Sequence, residues 1–193
     1  MEISDKMIPS PATHTIHELL VCLSESNAIE DEWDAQALID SVEAWNMLIK
    51  HTVLTHDLVK ESHRILMRTR HTIRDSEKGV YRNGHVYIAG RQGTTPKEIA
   101  GQMHTWIDRQ NFLITTACSH LRTSRETAEF IADWSERILH EHVAYEIIHP
   151  FFDGNGRTGR MFMNWSRVQL GFPIDIIWER TKTTKYYPIF KGK

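Results

Sequence analysis

Apolar side chains recur at helical spacing along most of the chain. Ala35, Leu38, Ile39, Val42, Trp45 and Ile49 follow the three-and-four spacing of a single helical face. Thr95-Pro96-Lys97-Glu98 has the form of a capping box with proline at the first helical position, and Ile99, Met103, Trp106 and Ile107 continue it as a core-facing stripe. Thr123 and Glu126 form a second such box, ahead of Phe130, Ile131, Trp134, Ile138 and Leu139. A further helix is predicted from about Arg157 to Leu170, stopped by Gly171 and Pro173. One segment departs from this rhythm. Gly79–Arg82 and His85–Ile88 are short β-prone runs around Asn83-Gly84, a pair suited to a tight hairpin turn that needs two positive φ angles. Such a hairpin is stable only against the helices. Its outer edge is either a short harmless edge or a docking edge for an extended partner segment, and the pattern leaves both open. The predicted fold class is all-α with one small β-hairpin.

Composition narrows the picture. The chain of 193 residues suits a single domain, 1–193, and its 10 glycines and 6 prolines are gathered at a few joints. Lys and Arg number 23 against 25 Asp and Glu, a net charge of -2, so no basic excess points to nucleic acid. Two cysteines, Cys22 and Cys118, are too few for a disulfide framework and suit a reducing compartment. No run approaches the ~20 apolar residues a membrane helix requires. Met1–Ser10 lacks the basic start and apolar stretch of an export signal. The expectation is a soluble cytoplasmic protein with neither a membrane nor a nucleic-acid partner.

The chemistry is concentrated in His149-Pro150-Phe151-Phe152-Asp153-Gly154-Asn155-Gly156-Arg157-Thr158-Gly159-Arg160, which joins two predicted helices. Small residues at 154–156 let successive backbone N–H groups turn inward as an anion-binding nest, and the next helix points its positive end at the same spot. Arg157 and Arg160, three apart, are placed to clamp a polyphosphate. A carboxylate repels phosphate directly, so the role that suits Asp153 is to hold a Mg²⁺ that phosphates also ligate. His149 is placed to take a proton from an attacking hydroxyl near neutral pH. Together these suggest nucleotide-dependent transfer to a hydroxyl. A P-loop fails because Arg160-Met161 replaces Lys-Ser/Thr, and a calcium loop fails on Phe151 and the two arginines. His140 and His142 lie on different helix faces and read as ordinary polar or packed histidines. The plain alternative is a structural helix–loop–helix turn, but capping needs neither His149 nor paired arginines.

The same segment resembles the Fic-domain signature, H-P-F-x-[DE]-G-N-G-R-x-x-R, at every specified position. Gly79–Gly90 is similar to that family's flap hairpin, and the surrounding helices resemble its all-α core. The resemblance covers roughly Trp33 to Pro173, within a core placed at about 33–193. It implies transfer of AMP from ATP to a Ser, Thr or Tyr hydroxyl of a target protein. His149 would be the base, and Asp153 the holder of Mg²⁺. Gly154, Asn155 and Gly156 would cradle the triphosphate, with Arg157 and Arg160 balancing its charge. Gly156 follows the AMP-transferring pattern, whereas a kinase-like subgroup has lysine there. Phe151 reads as packing. Val86, Tyr87 and Ile88 would align the target by strand pairing.

Ser26-Asn27-Ala28-Ile29-Glu30 is similar to the family's inhibitory motif, [ST]-x-x-x-E-[GN], carried on a helix placed at about 12–32. The resemblance implies that Glu30 pairs with Arg160 and withholds it from the γ-phosphate. Asp31 departs from the family's Gly or Asn. The alternative is that Glu30, Asp31, Glu32 and Asp34 form a solvated acidic run. Two further readings stay open. One is removal of AMP at the same site, and the other a non-catalytic nucleotide-binding interaction module. The family also admits self-modification and homo-oligomers.

Overall fold

A computed structural model of the chain describes residues 14–88, 90–121 and 128–191. Six helices make the body: α1 (Ile16–Ile29), α2 (Ala35–Leu48), α3 (His56–Leu66), α4 (Pro96–Leu121), α5 (Ala128–Ile148) and α6 (Asn155–Gln169). Their starts follow sequence chemistry. Thr15 and Glu18 form a reciprocal capping box on α1, while Asp34 and Thr55 cap α2 and α3 through their side chains. At α4 the Thr95 hydroxyl donates to the Glu98 carboxylate at 2.7 Å. The capping box expected at Thr123 and Glu126 lies outside the described residues.

α6 occupies the centre. It packs chiefly on α5 and also meets α1, α3 and α4, while α2 packs on α3. Nearly every α6 residue is buried, polar and apolar alike. Trp165, Phe162, Trp106, Tyr145 and Phe151 are its largest fully enclosed neighbours and members. The stripe of Ile99, Met103, Trp106 and Ile107 is buried as its spacing predicts. On α2 four of the six expected positions pack on the core, Trp45 fully and Leu38, Val42 and Ile49 in part. Ala37, Ser41, Ala44, Trp45 and Leu48 face the core, whereas Ala35 is exposed and Ile39 is 54% exposed. Asp40 is fully buried beside this face, which is tolerable because Arg68 and Thr69 bond its carboxylate.

The hairpin exists, but its turn is not at Asn83-Gly84. β1 (Tyr87–Ile88) pairs antiparallel with β2 (Arg91–Gln92), Tyr87 opposite Gln92 and Ile88 opposite Arg91. Val86 O accepts from Gly93 N at 3.0 Å. The loop therefore runs through Gly90, whose φ of 81° is left-handed. Gly84 instead packs against the Phe152 ring, where a Cβ would stand 3.0 Å from the ring edge. The strands are only two residues each, so the chain remains all-α in class. Among the described residues, no helix is long and apolar enough to cross a membrane.

Candidate active site

The loop between α5 and α6 is built from its own residues outward. His149 takes a left-handed φ of 49°, which ends α5 and turns the chain into the loop. Asn155 closes it. Its side-chain oxygen accepts from Phe151 N and its amide donates to Phe151 O, both at 2.9 Å. The Asn155 side chain is thus committed to the loop, and what it offers a phosphate is its backbone N–H. α6 starts at Asn155, two residues before the predicted Arg157, after Gly154 with φ 77°. A side chain at 154 would strike Met67 Sδ at 2.6 Å. The N–H groups of Asn155, Gly156 and Arg157 lie in the first turn, where no intrahelical acceptor exists. With the helix dipole they form an anion-binding end.

The charged residues divide their work. Arg160, 3% exposed, turns toward α1 and donates to Glu30 Oε1 at 2.8 Å, Ser26 Oγ at 2.9 Å and Ser26 O at 2.9 Å. Arg157, equally buried, donates to Met67 Sδ at 3.0 Å while its Nε and Nη1 have no partner. Two orphaned donors on a buried guanidinium at a helix N-terminus describe a place for an anion. Gly156 lies beneath the Glu30–Arg160 pair. A Cβ there would fall 2.2 Å from Glu30 Oε1.

Asp153 faces an open groove lined also by Thr72, Ile73 and Phe152. Its carboxylate accepts from Gly154 N at 2.6 Å and from the Thr72 hydroxyl. Burial would raise its pKa, but those hydrogen bonds and the charges of Arg157 and Arg70 hold it below the ordinary carboxylate value. An ionised hard-oxygen donor with lone pairs to spare suits Mg²⁺, which keeps most of its waters and needs few protein ligands. Burial lowers the pKa of His149 as well, which leaves the ring neutral at pH 7. Its Nδ1 lies 3.3 Å from Glu146 O, the geometry of a donor, so Nε2 is left as the basic nitrogen.

Several residues that hold this site carry no signature in sequence. Arg82, 2% exposed, donates to the carbonyls of His149 (2.7 Å), Gly84 (2.7 Å), Thr94 (2.6 Å) and Ile148 (3.3 Å). One guanidinium thereby fastens the foot of the hairpin to the loop. This tertiary anchoring is why Asn83-Gly84 does not form the turn. His63 stacks on Phe151 with centroids 3.7 Å apart and bonds Asp153 O through Nε2 at 2.9 Å. Gly79 N donates to its Nδ1, so His63 is a neutral ring with Nε2 protonated, and burial brings its pKa down to about 4. Glu146 lies one turn before His149; burial pushes its pKa up to about 8, and Oε1 has no partner. Tyr186, in the helical turns spanning 179–190, reaches Arg160 Nη1 at 3.3 Å and His142 Nε2 at 2.9 Å. His142 is buried and His140 exposed, both ordinary as expected. On the hairpin, Tyr87 is 73% exposed, and Val86 and Ile88 fold over Gly93.

The acidic stretch is not a solvated run. Glu30 engages Arg160, Glu32 is buried against Arg70, Asp34 caps α2 from an exposed position, and Asp31, at 85% side-chain exposure, lies 3.8 Å from Lys182 Nζ.

A family model described as the Fic/DOC family matches residues 53–166, well over half of the chain. Among curated proteins, a protein adenylyltransferase Fic from Nematostella vectensis is 31% identical over 131 residues, covering 68% of this chain and 27% of that protein. One of the same description from Drosophila willistoni is 31% identical over 115 residues, covering 60% and 20%. The chain thus spans about a fifth to a quarter of the length of these relatives. Among solved structures, Fic-1 from C. elegans aligns with a TM-score of 0.67 at 20% identity over 92% of this chain and 58% of that one. A Fic domain containing signaling protein from Bacteroides thetaiotaomicron gives 0.66 at 20% identity, over 91% and 74%. These likenesses establish the fold.

Proposed function

Since the chain belongs to the Fic/DOC family, we propose that it is a protein adenylyltransferase that moves AMP from ATP to a Ser, Thr or Tyr hydroxyl, restrained by Glu30. The observation that carries this reading is the anion-receiving end of α6. There Arg157, buried with two unpartnered nitrogens, stands beside free first-turn N–H groups, an ionised Asp153 and a neutral His149. In the transfer, the target oxygen attacks the α-phosphorus, its proton passes to His149 Nε2, and the bond to pyrophosphate breaks. Asp153 would hold Mg²⁺, which when bound neutralises phosphate charge. The N–H groups of Asn155, Gly156 and Arg157 and the Arg157 side chain receive the phosphates, with Gly154 permitting the close turn. The exposed Tyr87 and its neighbours on β1 offer an edge to the target backbone.

Glu30 supports the restraint because it occupies the face of Arg160 that a phosphate would need. Ser26 fixes the same guanidinium from α1. Incubation with ATP and Mg²⁺ followed by intact-mass and peptide mass spectrometry tests the proposal. The Glu30→Gly protein is expected to add AMP to itself or to a supplied protein more than the unaltered chain does, and Glu30→Gly with His149→Ala to add none. Equal labelling by the unaltered and Glu30→Gly proteins would remove the restraint. Labelling that survives His149→Ala would remove the base.

A further inference from the structure

The turn after α1 reaches into the site twice. Asp31 has a left-handed φ of 58°, so the residues on either side of it both face inward. Glu30 takes Arg160. Glu32, only 7% exposed, takes Arg70 on the loop that follows α3. Arg70 is the less obvious partner, because it lies outside the signature and far from it in sequence.

Its position ties it to the phosphate site in three ways. Arg70 N bonds Met67 O at 3.0 Å, and Met67 is the residue on whose sulfur Arg157 leans. Thr72, two residues on, donates to the Asp153 carboxylate. The Arg70 charge acts on both Asp153 and Arg157. Arg70 Nε is buried and has no partner, as are Nε and Nη1 of Arg157. Two like charges with three idle donors stand near one another, and the carboxylates around them, Glu32 on Arg70 and Asp153 and Glu30 near Arg157, leave those donors unpartnered. Such a pair calls for a second anion.

We propose, resting on the nucleotide reading above, that Arg70 is a further polyphosphate-binding residue, held back by Glu32 in the restrained form as Arg160 is held back by Glu30. The restraint is then a two-pronged clamp on one turn. Withdrawal of that turn frees both guanidinium groups at once. Arg157 keeps its hold throughout, since its side-chain hydrogen bond is to Met67 after α3.

Calorimetric titration with ATP and Mg²⁺ tests this directly, without relying on transfer. Glu32→Gln keeps the shape of the side chain and removes its charge. It is expected to tighten ATP binding roughly tenfold in the Glu30→Gly background, the scale of one charge-assisted hydrogen bond to an anion. Arg70→Gln in that background is expected to change binding by less than about twofold, because Glu32 still withholds Arg70 there. The double change Glu32→Gln with Arg70→Gln is expected to lose the gain, because there is then no guanidinium to release. An effect of Glu32→Gln below about twofold, or a gain that persists without Arg70, would overturn the proposal. Thermal melting without nucleotide accompanies each variant. Should Glu32→Gln fail to fold, Glu32→Asp loosens the same ion pair by shortening its reach and is held to the same outcomes. Binding by the Glu30→Gly protein alone is the reference arm. If that arm fails, the nucleotide reading falls and this inference with it, whereas failure of the Glu32 arm beside a binding Glu30 arm removes this inference alone.

Discussion

A buried carboxyl short of donors is favoured as the neutral acid. Glu146 is in that position, with Oε1 unpartnered and its pKa up at about 8. The unfolded chain releases this proton near the ordinary glutamate value of 4.5, whereas the folded chain keeps it to about 8. Folding stability is therefore lost as pH rises between those two values, and levels off above them. Glu146→Gln carries no such proton. Its melting temperature should gain on that of the unaltered protein steadily from pH 5 to pH 8, by an amount worth a few kcal/mol at the upper end. A gap that stays constant with pH would contradict the neutral acid. Arg157 presents the opposite case. Its charge cannot be discarded, so its idle nitrogens argue for a ligand and not for a protonation change.

Between elements, single side chains carry couplings that regular secondary structure does not provide. The hairpin has only two paired residues per strand, too few to hold itself in place. Arg82 supplies what is missing by joining its foot to the carbonyls of Ile148 and His149. Arg82→Ala would leave one buried and three part-buried carbonyls short of a donor, at a cost of roughly 3 kcal/mol. The expected outcome is a lower melting temperature together with faster amide exchange over residues 80–86 and 148–150. Destabilisation spread evenly over the chain would contradict a local coupling. α1 is tied down in a comparable way. Lys182 donates to Ile29 O at 3.1 Å and the Glu25 carboxylate accepts from Glu179 N at 2.7 Å, so the C-terminal turns hold the helix that carries Glu30.

For the molecule as a whole, pH dependence follows from groups kept neutral inside it. His63 and His142 have pKa values brought down by burial to about 4 and about 3, against 6.5 for the free ring. Each is neutral in the fold and charged in the unfolded chain between those values. Their contribution is whole above pH 6.5 and is lost as pH falls toward 4 and 3. Glu146 acts in the other direction from 4.5 to 8. Below 6.5 these histidines, reinforced by His149 and His56, whose values burial also lowers, outweigh one carboxyl, and between 6.5 and 8 the carboxyl dominates. Stability measured by urea unfolding should therefore peak near pH 6.5, falling gently to pH 8 and more steeply below 4.5. A peak above pH 8 would show that Glu146 is ionised in the folded protein.

The sequence alone determined α2, α4, α5 and α6 in outline, the stripe on α4, and the 149–160 loop with its candidate roles, while family resemblance supplied the motif at Ser26–Glu30 and no pattern marked α3. The helices, the stripe and the loop rest on short-range spacing, where helix geometry and turn chemistry leave few alternatives. Tertiary structure decided the rest. The Glu30–Arg160 pair joins residues 130 apart, and the aim of neither side chain is set by its neighbours in the chain. Arg82 read as part of a β-prone run until its carbonyl partners, drawn from two other segments, displaced the hairpin turn by several residues. Glu32 lies in an acidic stretch for which solvation is the alternative reading, and no local pattern marks Asp40 for burial; both are buried where Arg70 and Arg68 arrive from the end of α3. Local pattern fixes where a side chain leaves the backbone, but burial and charge pairing depend on what the fold brings to meet it.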